Sequence, residues 1–324
     1  MHYTTLGRTG MRVSIAGLGC GGFSRLGLGT GGDEAGAIAI IRQAIELGVN
    51  LFDTAASYGT EAVLGKAIKS APRDSVVICT KAPFSWSSGR ADPEGVVAAL
   101  DNSLRQLDAE YIDVYQLHGV SPANYAHALE ELAPVLLRER DKGKFRFLGI
   151  TETAPHDLPH DTLRRAAADR VWDMVMVGFS MMHQNARERV FPLTRDHRVG
   201  TLLMFAVRNI FSQPGRLAAT LRQLAAEGQV AAALADGDDP LGFLVHPAGA
   251  SSVVDACYRY VRHEPGVDVV LFGTGSPMHL KTNIGSLLKP PLPEADRTKI
   301  GELFGHLVGI GLDAPHLSNP RPKT

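Results

Sequence analysis

Residues 52–68 read FDTAASYGTEAVLGKAI. The stretch carries one whole strand-to-helix step: Asn50 to Asp53 is an apolar run of strand length, a loop with Gly59 follows, and Thr60 to Lys69 reads as a helix. Asp53 closes the strand and Tyr58 lies in the loop, so a carboxylate and a phenol come near one another. The fold is decided by whether this step repeats.

It does. Strand-length apolar runs are found at Ile15 to Cys20, Asn50 to Asp53, Ser75 to Lys81, Ile112 to Leu117, Phe145 to Thr151, Trp172 to Phe179, Gly200 to Phe205 and Val267 to Phe272. Between them, helices are predicted over Asp33 to Leu47, Thr60 to Lys69, Pro93 to Leu107, Ala123 to Asp141, Asp157 to Asp169, Asn185 to Asp196, Ser251 to Arg262 and Pro277 to Leu287. Such alternation implies parallel strands joined by helical crossovers. In the first helix Ile38, Ile41 and Ile45, with Ala37 and Ala44, share one face, and Asp92 caps the helix that begins at Pro93.

Ahead of the first run, Tyr3 to Leu6, a Gly-Arg-Thr-Gly turn and Arg12 to Ile15 read as a β-hairpin, a device that can plug the bottom of a barrel. Two segments break the rhythm. Ala206 to Ala250 is too long for an ordinary connection and holds a helix near Leu217 to Glu227. The tail from Gly301 has an apolar piece, Leu303 to Ile310, and a Pro-rich end expected to be poorly ordered. Both are expected to cover the active-site face or the barrel's side, leaving residues 1–324 as one domain.

Composition narrows the partners. With 33 basic and 34 acidic residues the net charge is -1, which gives no general attraction to nucleic acid or an anionic membrane, so a small molecule is the expected partner. Cys20, Cys79 and Cys257 form no CxxC pair, which suits a reducing cytoplasm. The N-terminus lacks the pattern of a signal peptide, and no apolar stretch reaches the roughly 18 residues of a membrane span. Oligomeric state is not legible.

Strand ends gather at one face of a parallel barrel. Asp53, Tyr58, Lys81 at the end of VVICTK, and His118 in YIDVYQLHG lie at or just after such ends. A phenol is a poor acid near neutrality, but a neighbouring ammonium stabilises its phenolate, and a carboxylate holds that ammonium charged. His118 can hydrogen-bond a substrate oxygen. The set suits a carbonyl oxygen that gains negative charge as a hydride reaches its carbon.

FDTAASYGTEAVLGKAI, VVICTK and YIDVYQLHG, in this order, resemble the aldo-keto reductase superfamily. The resemblance implies a (β/α)8 TIM barrel, a nicotinamide dinucleotide across its C-terminal face, and reversible reduction of an aldehyde or ketone, or oxidation of the matching alcohol or sugar. It makes Tyr58 the general acid/base, Lys81 and Asp53 its tuners, and His118 the residue that orients the carbonyl. GLGCGGFS at 17–24 resembles the family's first loop, which assigns Gly21, Gly22 and Phe23 to the cofactor together with Asp53. LFGTGSPMHLKTNI at 271–284 resembles the eighth loop and helix and adds Gly273, Thr274, Gly275, Ser276, His279 and Asn283.

Between these ends the chain departs from the family pattern. Thr151 and Glu152 stand where Ser-Asn is usual at the carboxamide, Met176 where Gln is usual, and Phe205 where an aromatic ring stacks on nicotinamide. At the positions where NADPH-preferring relatives often carry Lys or Arg, this chain has Gly275 and His279, with Lys281 nearby. NADPH is the expected cofactor, with NADH the alternative. A nucleotide-binding regulatory subunit with little turnover is the competing function, disfavoured by the intact Asp53, Tyr58, Lys81 and His118.

Other signals read more plainly. Gly17, Gly19 and Gly22 fit G-x-G-x-x-G, but the next acidic strand end, Asp53, comes too late for a dinucleotide-binding fingerprint. His156 and His160, with Asp157 and Asp161, mimic metal ligands, yet their Pro-punctuated setting reads as solvated polar residues and no metal is expected. Met174, Met176, Met181 and Met182 read as core filling and pocket lining. Phe84 and Trp86 are expected to wall the substrate pocket, with Arg208 adding a polar contact there or lying at the surface.

Overall fold

The structure, a computed structural model, describes residues 1–86, 89–237 and 239–313, with only the backbone given at 85, 86 and 89. Eight parallel strands close a barrel: β3 (Ala16–Gly19), β4 (Leu51–Asp53), β5 (Val77–Pro83), β8 (Ile112–Val120), β9 (Phe145–Glu152), β10 (Met174–Gly178), β11 (Gly200–Met204) and β12 (Val269–Phe272). The last pairs with the first, Ala16 opposite Val270 and Leu18 opposite Phe272. Two short antiparallel ribbons stand apart, β1 (Tyr3–Thr5) with β2 (Arg12–Ser14), and β6 (Ser85–Trp86) with β7 (Gly89–Arg90).

Successive side chains of a strand point to opposite faces, and here both faces are apolar. Leu51, Val77, Cys79, Val114, Met174, Met176, Leu202 and Val269 fill the barrel's interior. Phe52, Ile78, Tyr115, Val175, Val177, Leu203 and Val270 pack outward against the helical layer. That layer begins with α1 (Glu34–Glu46), α2 (Glu61–Ile68) and α3 (Pro93–Leu107). Asp33 and Asp92 cap α1 and α3, accepting from the N–H of Gly36 and Gly95.

The helix expected over Ala123 to Asp141 is interrupted. The short α4 (Tyr125–His127) runs through a wide π turn at Ala128–Leu132 into α5 (Ala133–Asp141). Pro134 lacks the N–H that an unbroken helix requires, and the turn widens just before it. α6 (Asp161–Ala168) starts later than expected, because the Asp157 carboxylate accepts from the N–H groups of Asp161 and Thr162 and marks the helix start. Next come α7 (Ala186–Arg189), α8 (Phe191–Asp196), α9 (Asn209–Ser212), α10 (Arg216–Ala226), α11 (Val253–Arg262), α12 (Pro277–Leu288) and α13 (Glu294–Phe304). α13 was not expected from the sequence; Ile300 and Phe304, one turn apart, anchor it in the outer core.

The long segment after β11 carries α9 and α10 and packs Leu221, Leu224, Leu241 and Leu244 into the outer core. From Phe304 to Asp313 the chain crosses the loops at the C-terminal ends of the strands. There the Gly309 N–H donates to His183 Nδ1 at 3.0 Å and Asn209 Nδ2 donates to Asp313 at 2.7 Å. The Pro-rich end, 314–324, lies outside the described residues. Among those described, no helix is long and apolar enough to cross a membrane.

The β1–β2 hairpin seals the other end. Leu6, Met11 and Val13 belong to the interior core, and Asn50 ties the hairpin to β4 by accepting from Ser14 N–H at 2.6 Å and donating to the Arg12 carbonyl at 3.0 Å. Leu6 is completely buried, and a Cβ on Gly200 would lie 2.8 Å from its Cγ. Leu6→Ala is expected to lower stability by about 2–5 kcal/mol, the cost of a buried leucine truncated in a site that cannot collapse. Urea denaturation measures this, and an unchanged midpoint would show that the hairpin does not plug the barrel.

Candidate active site

Every strand of the barrel ends on the same face, and β4, β5 and β8 bring three polar groups together there. Lys81 is fully buried, and its Nζ donates to both carboxylate oxygens of Asp53 and to the carbonyl of Thr54, each at 2.7 Å. Gln116 Nε2, from β8, reaches Asp53 Oδ1 at 3.4 Å. A buried ammonium needs such a set of acceptors, since an unpaired charge would be expelled or neutralised. Burial pulls Lys81 down, but Asp53 at hydrogen-bond distance more than offsets this, and the amine is held above the ordinary lysine range. Burial pushes the Asp53 carboxyl up while Lys81 pulls against it.

Tyr58 sits above this pair. Its loop is a 3-10 turn, Ala56–Tyr58, ended by Gly59 at φ 69°, where a side chain would be strained. The hydroxyls of Thr54 and Thr60 bond each other at 2.8 Å and hold the two ends of the loop together. The Lys81 ammonium lies 5.1 Å from the centre of the phenol ring, and the Tyr58 hydroxyl lies 3.4 Å from His118 Nε2, with the two rings edge to face. The four strand-end residues singled out in the sequence therefore meet at one point.

The phenol differs from expectation in one respect. Burial raises its pKa, Lys81 lowers it and Asp53 raises it again, and the balance lies above the ordinary tyrosine value. The expected acidification by Lys81 is present but outweighed, since Asp53 neutralises much of the ammonium's field and burial disfavours the phenolate. The phenol of Tyr58 thus holds its proton more tightly than a tyrosine in water.

The first loop lies flat against this ring. A Cβ on Gly21 would come within 2.4 Å of Tyr58 Cε2, so only glycine fits there, whereas Gly22 at φ 73° faces open space. The first and eighth loops touch through glycines, because a Cβ on Gly275 would lie 2.3 Å from Gly27 Cα. Gly273 and Gly275 are exposed at the head of α12, Thr274 is buried, and the Thr274 hydroxyl accepts from Ser276 N–H at 3.0 Å. Ser276 caps α12 by accepting from His279 N–H at 3.4 Å; the His279 side chain is exposed and Asn283 is buried.

Just after β11, the strand next to β12, Phe205 adopts a left-handed backbone, φ 73°, uncommon for an aromatic residue and a form of strain that gathers at functional sites. Its ring lies where a Cβ on Gly178 would meet it at 3.1 Å. Thr151 Oγ1 accepts from Gly119 N–H at 2.7 Å, and Met176 belongs to the interior packing of the barrel. Glu152 is buried; one carboxylate oxygen accepts from Gly178 N–H at 2.8 Å and the other lies 2.7 Å from His160 Nδ1.

His160 and Asp157 are not solvated: His160 is fully buried between Glu152 and Asn185, and Asp157 is buried at the start of α6, while His156 is exposed. Among the described residues no cluster of acidic, His or Cys side chains has the makings of a metal site. Phe84 is buried in the outer core with its ring edge-on to His127. The side chain of Trp86 lies outside the described residues. Arg208 is not a surface residue; its guanidinium lies over the rings of Phe23 and Phe205, with 13% of the side chain exposed. Gln116, Gly21's contact with Tyr58 and the Thr54–Thr60 clamp escaped the sequence reading, since each depends on which strand ends face inward together.

The model of the Aldo/keto reductase family matches residues 17–304. The chain is 28% identical over 310 residues to aldo-keto reductase YhdN of Bacillus subtilis, with 87% of each chain covered. It is 33% identical over 207 residues to probable aldo-keto reductase 1 of Glycine max, covering 60% of this chain and 56% of that one. Aldo-keto reductase AKR11C1 from Bacillus halodurans superposes with a TM-score of 0.72 at 22% identity, covering 94% of this chain and 96% of that one. The thermostable aldo-keto reductase Tm1743 superposes at 0.70 with 20% identity, covering 93% and 99%.

Gly21→Ala tests the packing of the first loop on the phenol. The added methyl group must displace the Tyr58 ring, and a misplacement of about 1 Å near the reacting atoms can cost on the order of 100-fold in rate. Turnover is expected to fall while the urea midpoint holds. Full activity in this variant would mean that the ring has room the structure denies it.

Proposed function

The chain belongs to the aldo/keto reductase family, and from that premise we propose that it catalyses reversible hydride transfer between a nicotinamide dinucleotide and a small carbonyl compound, with Tyr58 as proton donor. One arrangement carries the reading: a phenol that touches His118 on its polar edge and has a buried, carboxylate-bound ammonium beneath its ring.

The residues at the rim fit the dinucleotide. Exposed glycine backbone at Gly273 and Gly275, leading into the Ser276-capped start of α12, would receive phosphate oxygens, favoured by the positive end of the helix dipole. Phe205 and Thr151 would meet the nicotinamide end, with Gly21, Gly22 and Phe23 above it. Both oxygens of Glu152 are engaged, so its part there would be to hold the loop. When bound, the reduced cofactor supplies hydride to the carbonyl carbon. NADPH is the proposed partner and NADH the alternative, with Lys281 the exposed cation beside His279 on α12.

For reduction, His118 positions the carbonyl oxygen beside the Tyr58 hydroxyl, and Tyr58 gives up its proton as negative charge develops on that oxygen. Lys81 stabilises the phenolate left behind, and Asp53 keeps Lys81 charged while that happens. In the reverse direction the phenolate takes the proton from an alcohol. The three cysteines are buried free thiols, in keeping with a reducing cytoplasm as the place of work.

Tyr58→Phe removes the proton donor but keeps the ring. It is expected to lower turnover by about 10²–10⁴-fold, the usual worth of general acid catalysis, with NADPH affinity by fluorescence titration near wild type. A mutant as fast as the wild type would take Tyr58 out of the mechanism, and failure of the wild type to bind either NADPH or NADH would end the reductase reading.

Lys81→Met takes away the charge that lowers the phenol's pKa, so the phenolate forms only at higher pH and the pH dependence of alcohol oxidation is expected to move upward. The same change leaves Asp53 buried without its partner and costs about 3–5 kcal/mol of stability. A pH profile that stays in place, measured on folded mutant, would show that Lys81 does not set the phenol's acidity.

A further inference from the structure

At the start of α9, Arg208 presents a guanidinium with two nitrogens that no hydrogen bond uses among the described residues. Its flat face is fixed by Phe23 and Phe205, whose ring centres lie 5.1 and 4.5 Å from the guanidinium carbon. Nε and Nη2 are buried and have no hydrogen-bond partner among the described residues. These two nitrogens form one edge of the guanidinium, the fork that matches a pair of carboxylate oxygens. The anion facing it, Asp313, misses that edge: its Oδ1 is 3.9 Å from Nε, and its other oxygen accepts from Asn209 at 2.7 Å. An arginine kept only to anchor the C-terminal segment would bond it directly.

Resting on the reductase reading, we propose that the Nε–Nη2 edge of Arg208 binds the carboxylate of an acidic carbonyl substrate, and that Asp313 stands in for that carboxylate in the free protein. Stacking on two aromatic rings fixes the plane of the fork and leaves its two N–H groups, which Asp313 lies beside without bonding, in need of oxygen acceptors. Phe205 sits at the rim beside Gly178, and Arg208 acts on Tyr58 as well: burial raises the phenol's pKa, and the arginine is among the charges that pull it back. Both observations put the guanidinium near the reacting end of the site. A pyrophosphate of the dinucleotide is the other source of paired anionic oxygens, and the test separates the two.

Glyoxylate, succinic semialdehyde and 4-carboxybenzaldehyde, each against its neutral amide, are titrated by calorimetry into wild type, Arg208→Gln and Asp313→Asn, and NADPH is titrated into all three proteins. The wild type is expected to bind at least one acid more tightly than its amide, and Arg208→Gln to lose that preference by about tenfold or more, the worth of a charge-assisted hydrogen bond. Asp313→Asn is expected to strengthen the acid and leave the amide where it was. Equal binding of acids and amides by the wild type overturns the proposal. So does a loss of NADPH affinity in Arg208→Gln that matches the loss for the acid. If Arg208→Gln does not fold, unchanged acid affinity in Asp313→Asn overturns it. Binding is read without turnover, so failure to reduce any aldehyde would sink the reductase reading and leave the acid site standing.

Discussion

The contact on which the rest of the site depends is the one between Lys81 and Asp53. An ammonium with no exposure to solvent is tolerated only where its hydrogen-bond capacity is met, and three oxygens at 2.7 Å meet it. Two come from the end of β4 and the third from the residue after it, so the pair also locks β4 against β5 at the level where the Tyr58 loop departs. Removing either partner strands the other. The site and the local architecture therefore share one bond set, and the phenol's acidity follows from its burial, set against a Lys81 charge that Asp53 partly cancels.

The barrel was legible because its strands are buried on both faces and so appear as unbroken apolar runs, separated by stretches with helical spacing. Each of the eight runs became a strand, and the hairpin's alternation matched its role as a plug. What escaped was local. Pro134 lies inside an otherwise plausible helix, and the backbone accommodated it by widening one turn just before it. α13 follows the Pro-rich stretch 290–293, and its buried positions, Ile300 and Phe304, stand out only when the outer core is known to reach that far.

For the site, the division falls between chemistry and burial. Asp53, Tyr58, Lys81 and His118 advertise themselves by type and by place at strand ends, whereas Gln116 looks like any polar residue in a strand until the register sets it opposite Lys81. His160 shows the reverse error. Its Pro-rich surroundings suggest solvent, yet the connection turns inward and places it between Glu152 and Asn185, where burial and the Glu152 carboxylate act on it in opposite senses. Local composition says little about which side of a loop faces the core. Net field is equally hidden, which is why Lys81 alone overstates how acidic Tyr58 becomes.

The seam between β3 and β12 has a consequence for how the protein comes into being. On the edge away from β4, residues 16 to 18 pair with 270 to 272, and the loops that leave these two strands touch through Gly27 and Gly275. As the chain leaves the ribosome, β3 keeps one open edge until nearly all the rest has been made, and an apolar strand edge in waiting is a point of mispairing. The glycine loop against Tyr58 grows from that same strand. Closure of the barrel, and with it the contact between the first and eighth loops, therefore waits for the last strand to be made.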